Sequence, residues 1–101
     1  MKITISKIDG TTDTVDADPI KLKHSKGLKF FIHETYGECN LYKPNYTITE
    51  YSSGCSLRIN TNRKTLIRDC EKALKKRTLK YIISSMKKTL KKNGQKYPIN
   101  K

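Results

Sequence analysis

The spacing of apolar side chains changes at residue 62. Before it, apolar residues recur at every second position in short runs; after it, they recur every three or four. A strand puts alternate side chains on one face, and a helix every third or fourth. The chain is therefore α+β: an antiparallel β-meander of about four to five short strands, then a long basic C-terminal helix. With 101 residues it has room for one domain. Residues 1–61 read as mainly strands, 62–93 as helical and 94–101 as a tail.

The strands are bounded by turn residues. Residues 2–8 (KITISKI) alternate, with Ile3 and Ile5 on one face, and Asp9-Gly10 ends the run. Thr14–Asp16 and Ile20–Lys23 read as short strands on either side of Asp18-Pro19. Residues 28–33 (LKFFIH) give the clearest strand, with Leu28, Phe30 and Ile32 on one face. Residues 36–39 turn the chain, 39–43 pair back, and Pro44-Asn45 turns it again. Residues 46–51 (YTITEY) alternate, Ser52-Ser53-Gly54 turns, and 55–60 (CSLRIN) put Cys55, Leu57 and Ile59 on one face. Short strands joined by short turns pair as an antiparallel meander.

Beyond residue 62, Leu66, Ile67, Cys70, Ala73, Leu74, Arg77, Tyr81, Ile82, Ser85 and Thr89 follow the 3.6-residue repeat. Thr61 or Asn62 caps the start. Asn93-Gly94 suits the end, and Pro98 follows. An unbroken helix over 63–92 would be about 45 Å long. A six-residue strand covers only about 20 Å. The helix must overhang the sheet or break, and Arg77–Ser85 is where a break is expected.

Charge follows the same division. Residues 1–62 hold eight basic and seven acidic side chains, a net of +1; residues 63–101 hold fourteen and two, a net of +12. The eighteen lysines and eleven isoleucines suggest an AT-rich genome, but both halves share that genome, so bias cannot produce the asymmetry. Lys64, Arg68, Lys72, Lys75, Lys76 and Lys80, with Lys87 and Lys91 beyond, form a stripe beside the apolar face. Arg63 and Lys64 occupy the first turn, where the helix dipole disfavours cations. Like charges four residues apart also repel. Only Asp69 and Glu71 interrupt the stripe. Such a surface suits a polyanion: DNA, RNA or an acidic protein patch. It excludes mimicry of DNA, which needs acidity. Tyr36, Tyr42, Tyr46, Tyr51 and Phe31 are candidates for stacking on bases, although strand aromatics more often simply pack. No run of about 18 apolar residues suggests a membrane span. MKITISKIDG lacks an apolar signal-peptide core. A cytoplasmic protein is expected.

Three cysteines without a paired motif argue against a disulfide framework. A meander would carry His33, Cys39 and Cys55 to one end of the sheet, and Cys70 lies about 10 Å along the helix. One His and three Cys can hold a structural zinc tetrahedrally, with Asp69 or His24 as substitute ligands. A small core gains from such a staple. The alternative is that Cys55 and Cys70 are small core residues and Cys39 a turn thiol.

No enzyme motif is present. His33-Glu34 lacks the second histidine of a metalloprotease, and no nucleophile elbow, phosphate loop, dinucleotide glycine pattern or calcium loop occurs. His24 or His33 with Lys or Glu34 would be the acid and base of a small ribonuclease, but no pair converges in sequence. A non-enzymatic protein is expected.

The stretch Tyr46–Lys75, YTITEYSSGCSLRINTNRKTLIRDCEKALK, resembles a strand–turn–strand–helix module common in short phage and prophage proteins. Size, layout and codon bias look like those of small anti-CRISPR proteins from phages of low-GC Gram-positive bacteria. The resemblance covers about a third of the chain. It implies a non-enzymatic inhibitor that binds a type II CRISPR–Cas effector nuclease and blocks target DNA loading in the host cytoplasm. The residues carrying that binding would be Lys64, Arg68, Lys72, Lys75, Lys76 and Lys80. The alternative is a sequence-nonspecific nucleic-acid-binding accessory protein of a phage or mobile element.

Overall fold

A computed structural model describes residues 1–7, 9–34 and 45–100. Six strands and two helices follow in chain order: β1 (Lys2–Ser6), β2 (Thr12–Asp16), β3 (Asp18–Ile20), β4 (Phe30–Glu34), β5 (Tyr46–Glu50), β6 (Ser56–Asn60), α1 (Arg63–Lys75) and α2 (Leu79–Lys92). The α+β class stands, but the strands form two sheets rather than one meander. β1 and β2 make a separate antiparallel hairpin, and β3-β4-β5-β6 make a four-stranded antiparallel sheet in sequence order. The segment expected to pair back at 39–43 lies outside the described residues.

The reason for two sheets lies in β4. Phe30, Phe31, Ile32 and His33 are buried one after another, so this strand is covered on both faces. Phe30 and Ile32 join Ile48 of β5 and Leu66, Cys70, Leu74, Ile82 and Met86 of the helices in one core. Phe31 turns the other way and packs with Ile3, Val15 and Ala17 in a second core. The helices thus cover one face of the sheet, and the β1–β2 hairpin covers the other. Fully burying a side chain such as Leu66 or Leu74 stabilises the fold by about 2 kcal/mol.

The helical region is two helices. Thr78 takes an extended conformation, and its side chain accepts a hydrogen bond from the Tyr81 N–H, so it caps α2. The break therefore falls at 76–78, at the leading edge of the stretch expected from length alone. At the start of α1, the Asn62 side chain accepts from the Thr65 N–H at 3.1 Å. Neither helix is long and apolar enough to cross a membrane.

The β5–β6 turn is built around a buried carboxylate. Glu50 is 3 % exposed. Its oxygens accept from the Ser52 N–H at 2.6 Å, the Ser52 hydroxyl at 2.6 Å and the Ser53 N–H at 3.1 Å. The Ser53 hydroxyl donates to the Met86 sulfur at 3.1 Å, tying the turn to α2.

Residues 94–100 do not trail away from the fold. The Asn100 side chain accepts from the Thr4 N–H at 3.0 Å and donates to the carbonyls of Thr4 at 2.7 Å and Tyr51 at 2.6 Å. The Ile99 N–H donates to the Ser52 carbonyl at 2.7 Å, and the Gln95 amide donates to the Thr11 carbonyl at 2.8 Å. The last residues therefore clamp the hairpin to the β5–β6 turn.

Candidate functional site

The basic side chains occupy the helix faces that point away from the sheet. On α1, Leu66, Cys70 and Leu74 are buried, while Lys64, Arg68, Lys72 and Lys75 are exposed. At about 100° per residue the four cations span about 80° of arc, opposite the buried stripe, over about 16 Å of axis. Lys76 follows at the C-cap and is exposed. On α2, Ile82, Met86 and Leu90 are buried, while Lys80, Lys87, Lys88, Lys91 and Lys92 are exposed. The six residues expected to carry binding are thus all solvent-facing, spread over two helices and the joint between them.

Little on these helices offsets the charge. Neither helix has an acidic residue in its first turn. Among the described residues the one ion pair is Arg68–Asp69 at 3.9 Å, with both side chains largely in water, a geometry worth little. The other acid, Glu71, accepts from the Lys23 N–H at 2.7 Å and is engaged by the β3–β4 loop. That loop also caps α1, because Lys26 Nζ donates to the Leu74 carbonyl at 2.6 Å. Two arginines find aromatic faces. Arg63 lies 5.6 Å from the Tyr46 ring centroid and Arg77 lies 5.2 Å from that of Tyr81. Four like-charged pairs at i,i+4 remain: Lys64–Arg68, Arg68–Lys72, Lys87–Lys91 and Lys88–Lys92. At about 0.2–0.5 kcal/mol each, they cost the helices about 1–2 kcal/mol together. A bound polyanion would remove that cost.

The aromatic candidates divide. Phe31 is buried, and its ring sits 5.4 Å from Tyr51, so this pair is engaged in packing. Tyr46 is half-buried beneath Arg63. Tyr36 and Tyr42 lie outside the described residues. Tyr81, expected on the apolar face, is instead 53 % exposed.

Among the described residues the zinc candidates are not gathered into one site. Cys39 lies outside the described residues. His33 is buried, with Nδ1 2.9 Å from the Glu34 carbonyl and Nε2 2.8 Å from the Thr49 hydroxyl. The carbonyl can only accept, so Nδ1 donates to it, and Nε2 shares a hydrogen bond with the Thr49 hydroxyl. Both ring nitrogens are thereby occupied. By strand alternation His33 lies on the hairpin side of β4, whereas Cys70 is buried in the core on the helix side. Burial pushes the Cys70 thiol up to about 12, and burial also raises that of Cys55. The substitute ligands His24 and Asp69 sit in the β3–β4 loop and on α1. Among the described residues no three His, Cys, Asp or Glu side chains are placed to hold a metal ion.

One feature had no forecast from the sequence. A groove of about 440 Å³ runs between β6 and α2, lined by Leu57, Arg58, Ala73, Arg77, Tyr81 and Ile82 among others. Its lining comes from the hairpin, the sheet and both helices, so no local run of residues marks it. No family model matches this sequence, and neither a curated protein nor a solved structure matches it.

Proposed function

We propose that this protein is a non-enzymatic binding protein whose helical face engages the phosphate backbone of nucleic acid. The observation that carries this reading is the exposed row Lys64, Arg68, Lys72 and Lys75, set opposite the core and almost unneutralised. Duplex DNA carries about one charge per 1.7 Å of axis, so a strip of about 16 Å meets several phosphates. Contacts of this kind position a protein without reading bases. Binding is then sequence-tolerant, and log K falls with log salt at a slope near −0.9 per phosphate contacted. Titration of labelled duplex DNA and single-stranded RNA across salt tests it. Arg68→Glu with Lys72→Glu should weaken binding and flatten the slope by about two contacts. Lys21→Glu, on the β3–β4 loop, should do neither. Binding that is insensitive to salt, or equal loss in both variants, would overturn the reading.

A second reading is favoured by the layout of Tyr46–Lys75, which runs as β5, a turn, β6 and α1. This is the strand–turn–strand–helix order on which the resemblance to anti-CRISPR proteins rests. In that reading the same cations bind a type II effector nuclease and block loading of target DNA. The discriminating measurement is target cleavage by the purified effector with stoichiometric protein added. Inhibition that persists with excess nonspecific DNA supports the inhibitor; cleavage at an unchanged rate rejects it for that effector.

A further inference from the structure

We infer that the groove along β6 is a docking site for an extended, acidic peptide segment of another protein, which adds to the sheet as a further strand. The inference is independent of the helix face and its partner. Among the described residues β6 is the edge of the four-stranded sheet, and an edge strand presents backbone groups that can template another chain. At β6 the groove is lined by Ser56, Leu57 and Arg58, with Lys7 of the hairpin layer and Ala73 of the helical layer beside them, and inward it reaches Phe30 of β4 and Glu50 of β5. Along its far wall stand Tyr81, Ser85, Thr89 and Asn93 at four-residue steps. These span about 18 Å of α2, which matches about five residues of extended chain.

The lining selects the occupant's chemistry. Leu57, Ala73, Ile82 and Met86 give an apolar floor. Lys7, Arg58 and Arg77 supply positive charge, and Arg77 is held over the Tyr81 ring. Glu50 also reaches the groove, but its carboxylate is taken up by Ser52 and Ser53. The Arg58 charge on the edge disfavours a basic strand and favours one that brings carboxylates. A second copy of this chain would bring another +13 to the same surface, which opposes self-pairing. What remains favoured is a short strand alternating carboxylates with aliphatic side chains.

The test uses a fluorescein-labelled peptide, Glu-Val-Glu-Leu-Glu-Val, titrated into the full chain and read by anisotropy at about 50 mM salt. Two further peptides are N-methylated, one at the Glu positions and one at the aliphatic positions. A paired strand uses alternate N–H groups, so one methylated peptide should bind at least about tenfold more weakly and the other should not. Arg58→Ala and Arg58→Glu should each weaken the parent peptide, while Arg68→Glu with Lys72→Glu should leave it bound. Hydrogen exchange at Ser56–Asn60 should slow when peptide is present. Equal loss from both methylations, no binding below about 1 mM, or binding that follows Arg68 and ignores Arg58 overturns the inference. So does self-association of the protein alone that Arg58→Glu abolishes, which assigns the edge to a second copy. Failure of nucleic-acid binding on the helix face would leave these outcomes unchanged.

Discussion

A Cβ placed on Gly54 would lie 2.8 Å from the carbonyl oxygen of Thr4. The β5–β6 turn presses so closely on β1 that the Ser6 N–H donates to the Gly54 carbonyl at 2.9 Å. Gly54 also has φ +65°, where an L side chain costs about 1–2 kcal/mol by itself. Gly54→Ala should therefore destabilise the fold by about 2–4 kcal/mol, since strain adds to a clash with backbone. Gly27 has φ +85° but open space around its Cβ. Gly27→Ala should cost only the conformational part, about 1 kcal/mol. Urea unfolding of both variants checks the difference, and equal losses would mean that the turn does not press on β1.

Asn100 is expected to contribute more than its place near the C-terminus suggests. Asn100→Ala removes three hydrogen bonds and takes from Thr4 the partner of both its N–H and its carbonyl. The expected loss is about 2–3 kcal/mol. Asn100→Asp keeps the acceptor for the Thr4 N–H but loses both donated bonds, so it should be nearly as damaging. Chemical denaturation midpoints for the two variants decide this.

Salt should stabilise the protein. The four like-charged i,i+4 pairs are exposed, and screening them restores about 1–2 kcal/mol. Raising sodium chloride from about 20 mM to about 500 mM should lift the melting temperature by several degrees. Arg68→Glu alone turns both Lys64–Arg68 and Arg68–Lys72 into opposite-charge pairs, and it should melt higher at low salt and respond less to added salt. A melting temperature that falls with salt would show that attractive pairs dominate.

Cys70 gives the fold an alkaline limit. Its thiol is raised by burial from 9.0 to about 12 in the folded state. Between those values the unfolded chain has lost a proton that the folded chain keeps, so stability falls as pH rises from 9 toward 12. Below 9 the contribution is fully present. The comparison is between the parent and Cys70→Ala: the variant starts less stable but loses less across this range. In the native protein Cys55, half-buried beside the groove, should react with a thiol reagent before Cys70.

Local signals in the sequence located most elements, because period and turn residues act over a few positions. The runs 46–51 and 55–60 became β5 and β6, although a register shift beside Ile48 and Thr49 takes Ile59 off the face of Cys55 and Leu57, and Asn93-Gly94 does end α2. Thr78, which stops α1 from continuing into α2, is an ordinary capping residue whose meaning depends on what the helices must cover. Phe31 was harder to read. Its burial follows from a hairpin that covers the second face of β4, and the sequence of β4 carries that only as an unbroken apolar run. The basic face was legible because charge and helical period coincide over α1. The groove was not, because it depends on where α2 lies relative to an edge strand. Nor was the engagement of His33 by Glu34 and Thr49, which rests on strand register.

The bonds between Asn100 and Thr4 join residues 96 positions apart. Closing so large a loop is among the slowest contributions a topology can make to folding. Until Asn100 has been synthesised, the hairpin and the β5–β6 turn lack their shared clamp. The clamp therefore closes only after both elements that it joins have been made.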